Sequence, residues 1–329
     1  MRLALRVIGA ADVRRALTYP DCVTAVESAM RTLSDGGAVM PLRQVMPLPS
    51  GRGALGTMPG SLADPECFGV KLLSLFPDNP SRGHSSHIGL HVLCEPEHGR
   101  PVAVIEASSL TAIRTAAASV VATRALSRPG SSVLAILGTG EQARAHLECF
   151  QSVRPFDRVV VWGRRDEAAT AIADRARELG VASVRVADSV RDAVTDADVV
   201  CTLTASTTAI LRGADLRPGI HLCLVGASVA SRREVDDDCV VRSRCYVDHR
   251  AAAMAQAGEL LGAIAAGVIG PEHVLGEIGE VLSGRVAGRV DDSDVTLYKS
   301  LGVAAQDLAA ASLVLRRAEA LGLGTTVEL

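Results

Sequence analysis

Apolar residues change pattern along this chain, and in its middle they form short continuous runs separated by stretches with helical periodicity. Continuous aliphatic runs are typical of strands buried on both faces of a parallel sheet, and the helical stretches fit crossover connections. This alternation predicts a Rossmann-type doubly wound α/β fold. The runs are VLAILG from Val133, RVVVWG from Arg158, VRVA from Val184, DVVCTLT from Asp198, HLCLVGA from His221 and CYVDH from Cys245.

The first 115 residues have a different pattern, in which one helical segment, Asp21 to Leu33, precedes several extended segments broken by Pro and Gly. Dense Pro and Gly punctuate short strands and not long helices. An Ala-rich helix is predicted from Thr111 to Leu126, and an Ala/Leu helix from Leu301 to Leu321 that packs back on the first domain. We therefore expect a mixed α+β domain of residues 1–118 with 300–329, and a nucleotide-binding domain of residues 119–299.

The first aliphatic run leads into a glycine-rich turn followed by a helical segment, the order of a dinucleotide fingerprint. The first glycine permits the tight turn, the second lets the backbone approach a pyrophosphate, and the alanine keeps the helix close to the strand. The N-terminus of the helix then presents N–H groups to the phosphates. The predicted cofactor-binding residues here are Gly138, Thr139, Gly140, Glu141, Gln142 and Ala143.

The choice between NAD and NADP depends on the end of the second strand, where an acidic residue binds a ribose hydroxyl and an Arg accommodates a 2′-phosphate. This chain has Arg164 and Arg165 there. Guanidinium groups match phosphate oxygens, so the sequence favours NADPH, with NADH as the alternative. In the other interpretation both arginines are solvated and Asp166 caps the next helix.

Composition describes an ordinary folded protein of 329 residues, 48% hydrophobic and 22% charged. A net charge of −3 and an aromatic content of 2% offer neither the positive field nor the stacking surfaces that nucleic acid requires. No apolar run approaches the roughly 20 residues that span a bilayer, and the charged first segment does not resemble a secretory signal. We expect a cytoplasmic protein with no nucleic-acid or membrane partner.

Cysteines and histidines do not form a metal-binding pattern. His84, His87 and His91 have a spacing that fits neither one helix face nor one strand face, so no metal site is predicted. The eight cysteines are scattered without a Cys-x-x-Cys pair and are expected to be reduced core residues: Cys22, Cys67, Cys94, Cys149, Cys201, Cys223, Cys239 and Cys245.

Distinctive motifs are distributed along nearly the whole chain: PLRQVMPLP, GTMPG, FGVKLLSLFP, SSHIGL, AIRTAAASVVAT, LAILGTGEQARAHL, VGASVASRREVDDD, GEIGEVLSG and TLYKSLGVAAQD. In sequence and in order, these motifs resemble those of the ornithine cyclodeaminase and mu-crystallin family. The resemblance implies a homodimer in which the N-terminal domain, completed by the C-terminal helix, binds substrate and forms the dimer contact. The middle of the chain then binds NAD(P).

Three cations match the positions at which the family clamps the carboxylate of a small amino or imino acid: Arg43, Lys71 and Arg114. Arginine presents two parallel donors, so Arg43 and Arg114 are the natural anchors. Lys71 lies in an apolar stretch that would desolvate its ammonium group and lower its pKa. It either donates a proton to the substrate nitrogen or only adds charge to the clamp.

Ser228 marks a departure from the ornithine cyclodeaminases, which carry an aspartate at this position of the motif. A serine hydroxyl does not replace a charged general base at neutral pH. The ketimine reductase-like members share the serine, so the resemblance implies hydride delivery to an imine without deamination. Ser228 is expected to contact substrate or cofactor. In the structural interpretation, it is simply a small residue that fits a tight loop.

The remaining polar residues of the motifs are given more modest roles. Thr296 matches a family position beside the nicotinamide, while Asp307 is expected to order the terminal helix. Glu277 and Glu280 are interpreted as structural carboxylates at a turn, and the run from Asp236 to Asp238 as the start of a helix.

Together these features predict an NAD(P)H-dependent oxidoreductase that reduces the C=N bond of a small imino acid to the L-amino acid. Candidate substrates are Δ1-pyrroline-2-carboxylate, Δ1-piperideine-2-carboxylate and iminosuccinate, whose second carboxylate would meet Arg82, His84 and His87. The alternatives are an ornithine cyclodeaminase, an alanine-type amino-acid dehydrogenase and an NADPH-dependent small-ligand binding protein.

Overall fold

The structure, a computed structural model, describes residues 4–328, with the backbone alone at positions 80 and 81. Single turns of 3-10 helix lie at Asn79–Arg82, Gly213–Asp215 and Pro271–His273. The strands are β1 (Ala4–Ile8), β2 (Ala38–Val39), β3 (Gln44–Pro47), β4 (Ala54–Ala63), β5 (Glu66–Leu75), β6 (His87–Cys94), β7 (Pro101–Glu106), β8 (Val133–Leu137), β9 (Arg158–Trp162), β10 (Ser183–Val186), β11 (Val199–Thr202), β12 (His221–Leu224), β13 (Ser243–Val247), β14 (Val274–Glu277), β15 (Val295–Lys299) and β16 (Thr325–Glu328). The helices are α1 (Ala10–Ala16), α2 (Tyr19–Ser34), α3 (Ala107–Leu126), α4 (Glu141–Val153), α5 (Asp166–Glu178), α6 (Val190–Val194), α7 (Asp237–Val241), α8 (Arg250–Gln256), α9 (Gly258–Ala265), α10 (Ile278–Leu282) and α11 (Ala304–Leu321).

The chain divides into two units, with boundaries close to the predicted ones. Unit 1 comprises the chain up to Arg114 together with the segment from Val303 onward, and unit 2 comprises Thr115–Gly302. Helix α3 therefore begins in unit 1 and continues in unit 2.

Unit 1 is built on a mixed sheet in the order β16-β1-β7-β6-β5-β4-β2, with β3 also paired to β4. Only β1 and β7 pair in parallel among these described strands. Helix α11 packs on β4, β5 and β6, as the C-terminal Ala/Leu pattern predicts. This approach is close: a side chain at Gly60 of β4 would place its Cβ 2.9 Å from the Cβ of Ala304.

Unit 2 contains an eight-stranded sheet in the order β10-β9-β8-β11-β12-β15-β13-β14, and every described pair is parallel. Its first five strands have the 3-2-1-4-5 order of a doubly wound fold, which confirms the predicted Rossmann-type architecture. Strands β8, β11 and β12 are buried at every position, as expected of strands covered on both faces. The strand order reverses between β8 and β11, so their carboxyl ends form the expected ligand-binding edge.

Candidate active site

The polar centre of unit 1 lies where β4, β5 and β6 place three residues side by side. Met58 pairs with Lys71, and Lys71 pairs with His91, in the antiparallel register of the sheet. Residues directly opposite one another on neighbouring strands share one face. Helix α11 covers this face, and Lys71, at 2% exposure, and His91, at 4%, are both buried beneath it.

Asp307, in the first turn of α11, forms ion pairs with both of the buried clamp cations, Lys71 and Arg114. Its Oδ1 atom lies 3.3 Å from Lys71 Nζ and 2.7 Å from Arg114 Nε. A second donor of the Arg114 guanidinium, Nη1, hydrogen-bonds to Gln306 Oε1 at 3.1 Å. Two edges of the guanidinium are therefore held by neighbouring residues of α11, which fixes the orientation of Arg114.

Burial and neighbouring charges shift the pKa of both partners. Desolvation, with the Arg114 and Arg43 charges, lowers the pKa of Lys71 to about 7 and outweighs the opposing effect of Asp307. Burial alone would raise the pKa of Asp307, but the cations Arg114 and Lys71 hold that pKa well below its usual range. The Asp307 carboxylate is consequently charged at neutral pH, whereas the Lys71 amine gains and loses its proton near neutral pH.

Arg43, the third predicted clamp residue, is half-buried in the segment just before β3. Its charge lowers the pKa of Lys71, so the two cations lie close enough for their charges to interact. Three cations with one carboxylate leave this region positively charged, which suits the carboxylate of a small acid.

In unit 2, the glycine-rich turn has the geometry that a dinucleotide requires. Gly138 has φ +134°, and a Cβ there would lie 2.5 Å from the backbone oxygen of Leu203. Gly140 is the N-cap of the 13-residue helix α4, and a Cβ there would meet nothing within 4 Å. The open space beside a helix N-terminus fits a pyrophosphate, and the buried Ala143 brings the helix close to the sheet. Thr139, Glu141 and Gln142 belong to the same turn and first helical residues.

The end of β9 carries the predicted phosphate-binding arginines. Arg164 and Arg165 are both exposed and directly follow Gly163, whose Cβ position would collide with the side chain of Thr139 at 2.3 Å. The strand end and the glycine-rich turn are therefore adjacent. Asp166 lies one residue further on, as the first residue of α5, and does not cap it through its side chain.

Ser228 lies in the loop after β12, at the same carboxyl edge of the sheet, and is half-buried. The preceding residue, Ala227, is held in place because Lys299 Nζ donates a hydrogen bond to its backbone oxygen. Lys299 is fully buried and also forms an ion pair with Glu259 at 2.9 Å. The loop that contains Ser228 is thus anchored by the buried ion pair of Lys299 and Glu259.

Thr296 is not brought to this edge. It lies at the amino end of β15, opposite His221 at the start of β12, whereas the glycine-rich turn follows the carboxyl end of β8. Its hydroxyl is already engaged, since it donates to Leu126 O at 3.0 Å and contacts His221 Nδ1 at 2.9 Å. Thr296 therefore lies at the end of β15 away from that edge, and Lys299, at the carboxyl end of the same strand, reaches the edge instead. The contact between Thr296 and the nicotinamide stays a prediction.

Several other expectations can be compared with the structure. All eight cysteines are free thiols and seven are buried. His87, the first residue of β6, is exposed and contacts Ser86, whereas His91 is buried four residues further along the same strand face, so the three histidines are not brought together. Glu277 and Glu280 form a capping box at α10, and Asp236 caps α7, as structural roles require.

Sequence reasoning missed two residues of the polar centre. Asp307 was expected only to order its helix, yet its carboxylate is the common partner of Lys71 and Arg114. His91 was considered only as a metal ligand. The available signal was a polar residue at a buried position of an otherwise apolar element, in HIGLHVLC for His91 and in AAQDLAAA for Asp307.

Within residues 4–328, none of the helices combines the length and apolar character needed to cross a membrane.

Comparison with known proteins agrees with this geometry. Residues 6–321 match the ornithine cyclodeaminase/mu-crystallin family model. The ketimine reductase mu-crystallin of Mus musculus is 38% identical over 295 residues, which cover 89% of this chain and 90% of the relative. The Δ1-pyrroline-2-carboxylate reductase of Thermococcus litoralis, solved with NADH and L-proline, superposes with a TM-score of 0.94 at 31% identity, over 98% of this chain and 100% of that one. An archaeal alanine dehydrogenase dimer with bound NAD gives a TM-score of 0.93 at 30% identity, covering 99% of each chain. The chain belongs to the ornithine cyclodeaminase/mu-crystallin family.

Proposed function

We propose that this protein is an NADPH-dependent imine reductase that converts a small α-imino carboxylate into the L-amino acid. The leading substrates are the cyclic ketimines Δ1-pyrroline-2-carboxylate and Δ1-piperideine-2-carboxylate. The observation that carries the proposal is the buried Lys71, set between Asp307 and the arginine clamp with a pKa near neutrality. The names of the mouse and Thermococcus relatives, a ketimine reductase and a pyrroline-2-carboxylate reductase, support the substrate class.

The clamp binds the substrate through its carboxylate. Arg114 is pre-oriented by Asp307 and Gln306, so little side-chain freedom is lost when it binds an anion. Arg43 supplies a second guanidinium from the segment just before β3. Fixing the carboxylate fixes the adjacent imine carbon and nitrogen, which is the positional part of catalysis.

Lys71 completes the reaction by donating a proton to the imine nitrogen. The glycine-rich turn would hold the pyrophosphate of NADPH, and the cofactor would supply the hydride for the imine carbon. Because burial lowers the pKa of Lys71 to about 7, the ammonium gives up its proton more readily than an exposed lysine does. The negative charge of Asp307 keeps a sufficient fraction of Lys71 protonated at neutral pH.

NADPH is preferred to NADH because two exposed guanidinium groups, Arg164 and Arg165, follow β9 where a carboxylate would otherwise bind the ribose hydroxyl. The similar structures of the Thermococcus reductase and the archaeal alanine dehydrogenase were solved with NADH and NAD, so NADH is the alternative cofactor.

Ser228 argues against cyclodeamination of ornithine. That reaction needs a base for the substrate amine, and the hydroxyl of Ser228 is not charged at neutral pH. Alanine-type dehydrogenation differs from the proposed reaction only in whether free ammonia forms the imine, and it is tested together with it.

We also propose that the protein is a cytoplasmic homodimer. The face of the unit 1 sheet opposite α11 carries large exposed apolar side chains, among them Met46, Ile88 and Leu90. The register places Met46, Leu55, Ser74 and Ile88 on one rung across β3, β4, β5 and β6, so three of the four side chains on this rung are apolar. A second copy is the natural cover, as one similar structure is a dimer. Eight free thiols suit a reducing compartment.

The test measures oxidation of NADPH and NADH with pyrroline-2-carboxylate, piperideine-2-carboxylate, an iminosuccinate source and pyruvate with ammonia, and separately ammonia release from ornithine. Arg43→Ala should raise KM for the active imine about 10- to 100-fold, since a hydrogen bond to a charged group contributes about 1.5–3 kcal/mol. The matched control is Arg52→Ala, an exposed arginine of the next loop, which should leave KM unchanged. Dinucleotide binding without turnover of any imine, or ammonia from ornithine, would refute the proposal.

A further inference from the structure

A small cavity adjoins Lys71 inside unit 1, with room for about one water molecule. Its polar lining comes from Lys71, His91 and Asp307. The rest of the lining is apolar and is contributed by the sheet and by α11: Met58, Val70, Val92, Leu93, Ala304, Leu308 and Ala311.

Two buried polar atoms of this lining have no hydrogen-bond partner among residues 4–328. They are Nε2 of His91 and Oδ2 of Asp307, the carboxylate oxygen that binds neither Lys71 nor Arg114. Buried polar atoms in folded proteins are nearly always hydrogen-bonded, to protein or to an ordered water. A buried water typically binds about three polar groups, which is the number that lines this cavity.

We propose that His91 and Asp307 hold one buried water molecule in this cavity, and that this water hydrogen-bonds to Lys71. His91 is then a positioning residue, because it acts on the proton donor through the water and does not touch the substrate. The water site stands on the cavity and its lining alone, whereas its consequence for catalysis rests on the proposed function.

The position of His91 in β6 supports a role beyond packing. Its immediate neighbours on the same face of the strand, Gly89 and Leu93, are apolar, and Leu93 is 3% exposed. An apolar residue would pack here at lower cost than an imidazole with an unbonded nitrogen. The cost of burying the imidazole is offset if its Nε2 atom hydrogen-bonds to a polar group inside the cavity.

The surrounding charges explain why a neutral group is needed. Lys71 faces Asp307 from α11, Arg114 from α3 and Arg43 from the segment before β3. Burial lowers the pKa of His91 to about 3, and burial raises the pKa of the nearby Cys22 thiol of α2 to about 12, so neither is charged at neutral pH. A water held by His91 solvates the ammonium without adding another cation to a site that already has two arginines.

The experiment follows Lys71 directly, because the sequence has only two lysines, Lys71 and Lys299. Protein labelled with 13C at the lysine side-chain carbons gives two sets of NMR signals, which Lys71→Arg assigns. The titration midpoint of Lys71 is measured in the full chain without substrate. His91→Leu, nearly equal in volume but apolar, removes the bond to the water and desolvates the ammonium further. Its midpoint should fall by about one pH unit, a tenfold change in the protonation equilibrium.

Two variants separate hydration from packing. His91→Gln keeps an amide that can bind the water and should shift the midpoint by less than half as much. Leu93→Met perturbs packing on the same strand face without changing polarity, and its midpoint should equal that of the wild type. If His91→Leu fails to fold, His91→Met, which is more adaptable in shape, takes its place.

An unchanged midpoint in the folded His91→Leu or His91→Met protein would overturn the inference. A high-resolution crystal structure of the wild type with no water within hydrogen-bond distance of His91 Nε2 and Asp307 Oδ2 would also overturn it. Because the midpoint is measured without substrate, failure of the proposed function gives a different result: no imine is reduced by the wild type, while the midpoint shift still decides the water site.

Discussion

Replacing Asp307 by Asn tests the central feature of the site, the carboxylate shared by Lys71 and Arg114. The amide is nearly isosteric, and its oxygen can still accept the hydrogen bond from Arg114 Nε, which is 2.7 Å long in the wild type. The substitution therefore removes the negative charge while it largely preserves the shape and orientation of the clamp.

The expected effect follows from one distance. With an effective dielectric constant of about 20, a carboxylate charge 3.3 Å from Lys71 Nζ stabilises the ammonium by about 5 kcal/mol, an upper bound that relaxation reduces. Loss of only a third of this interaction corresponds to more than one pH unit, because one unit equals about 1.4 kcal/mol. Lys71 would then be largely unprotonated at neutral pH.

The sign of the pH effect is fixed by the role of Lys71 as a proton donor. In the wild type, the pKa of Lys71 is lowered to about 7, so kcat/KM for imine reduction should be highest below pH 7 and decline above it. In Asp307→Asn the decline should begin at least one pH unit lower. KM should not rise, since the clamp becomes more positive, and the loss should appear in kcat.

The assay is the pH profile of kcat and KM with the imine identified by the substrate panel. Glu27→Gln is the matched control, because Glu27 forms a partly exposed ion pair with Arg31 in α2 at 3.0 Å, and its loss should leave the profile unchanged. Asp307→Asn also leaves the buried Arg114 guanidinium without its carboxylate partner, so its free energy of unfolding should fall by about 3 kcal/mol. A folded Asp307→Asn protein with the wild-type pH profile would refute the proton-donor role of Lys71.

Three further predictions concern unit 2. Gly138→Ala should abolish detectable dinucleotide binding and lower the melting temperature, because φ is +134° and the new Cβ would lie 2.5 Å from a backbone oxygen; calorimetric titration with NADPH checks this, and wild-type affinity would contradict it. Arg164→Ala with Arg165→Ala should weaken NADPH binding by about tenfold or more and leave NADH binding within twofold, measured by cofactor fluorescence; equal losses for both cofactors would exclude a 2′-phosphate contact. Lys299→Met should lower the free energy of unfolding in urea by about 3 kcal/mol, and adding Glu259→Gln should recover part of it; a larger loss in the double variant would show that the 2.9 Å pair is not the cause.

The architecture of unit 2 followed from sequence because buried parallel strands are continuous aliphatic runs and the glycine-rich turn has strict steric requirements. The end of β8, with Gly138 followed by the N-cap Gly140, has the predicted geometry. The two helices predicted around Asp21–Leu33 and Leu301–Leu321 also appear, as α2 and α11.

The polar centre of unit 1 could be predicted only in part. Matching motifs located Arg43, Lys71 and Arg114, but pairing between residues 236 positions apart, as for Lys71 and Asp307, depends on how α11 settles on the sheet. Local periodicity carries no information on that contact. A motif likewise gives the strand that contains Thr296 but not which end of that strand meets the ligand-binding edge, and the structure places Thr296 at the amino end of β15.

The two lysines of this sequence are both buried, at 2% and 0% exposure, so every other basic side chain that carries a permanent charge is an arginine. Guanidinium groups do not condense with carbonyl compounds as amines do, and they stay protonated far above physiological pH. Cyclic ketimines open in water to amino ketones, and open-chain imines hydrolyse to keto acids, so such an enzyme works among reactive carbonyls. Its folded surface offers them no lysine amine to condense with, and reagents selective for lysine should modify Lys71 only when they are small and anionic enough to enter the clamp.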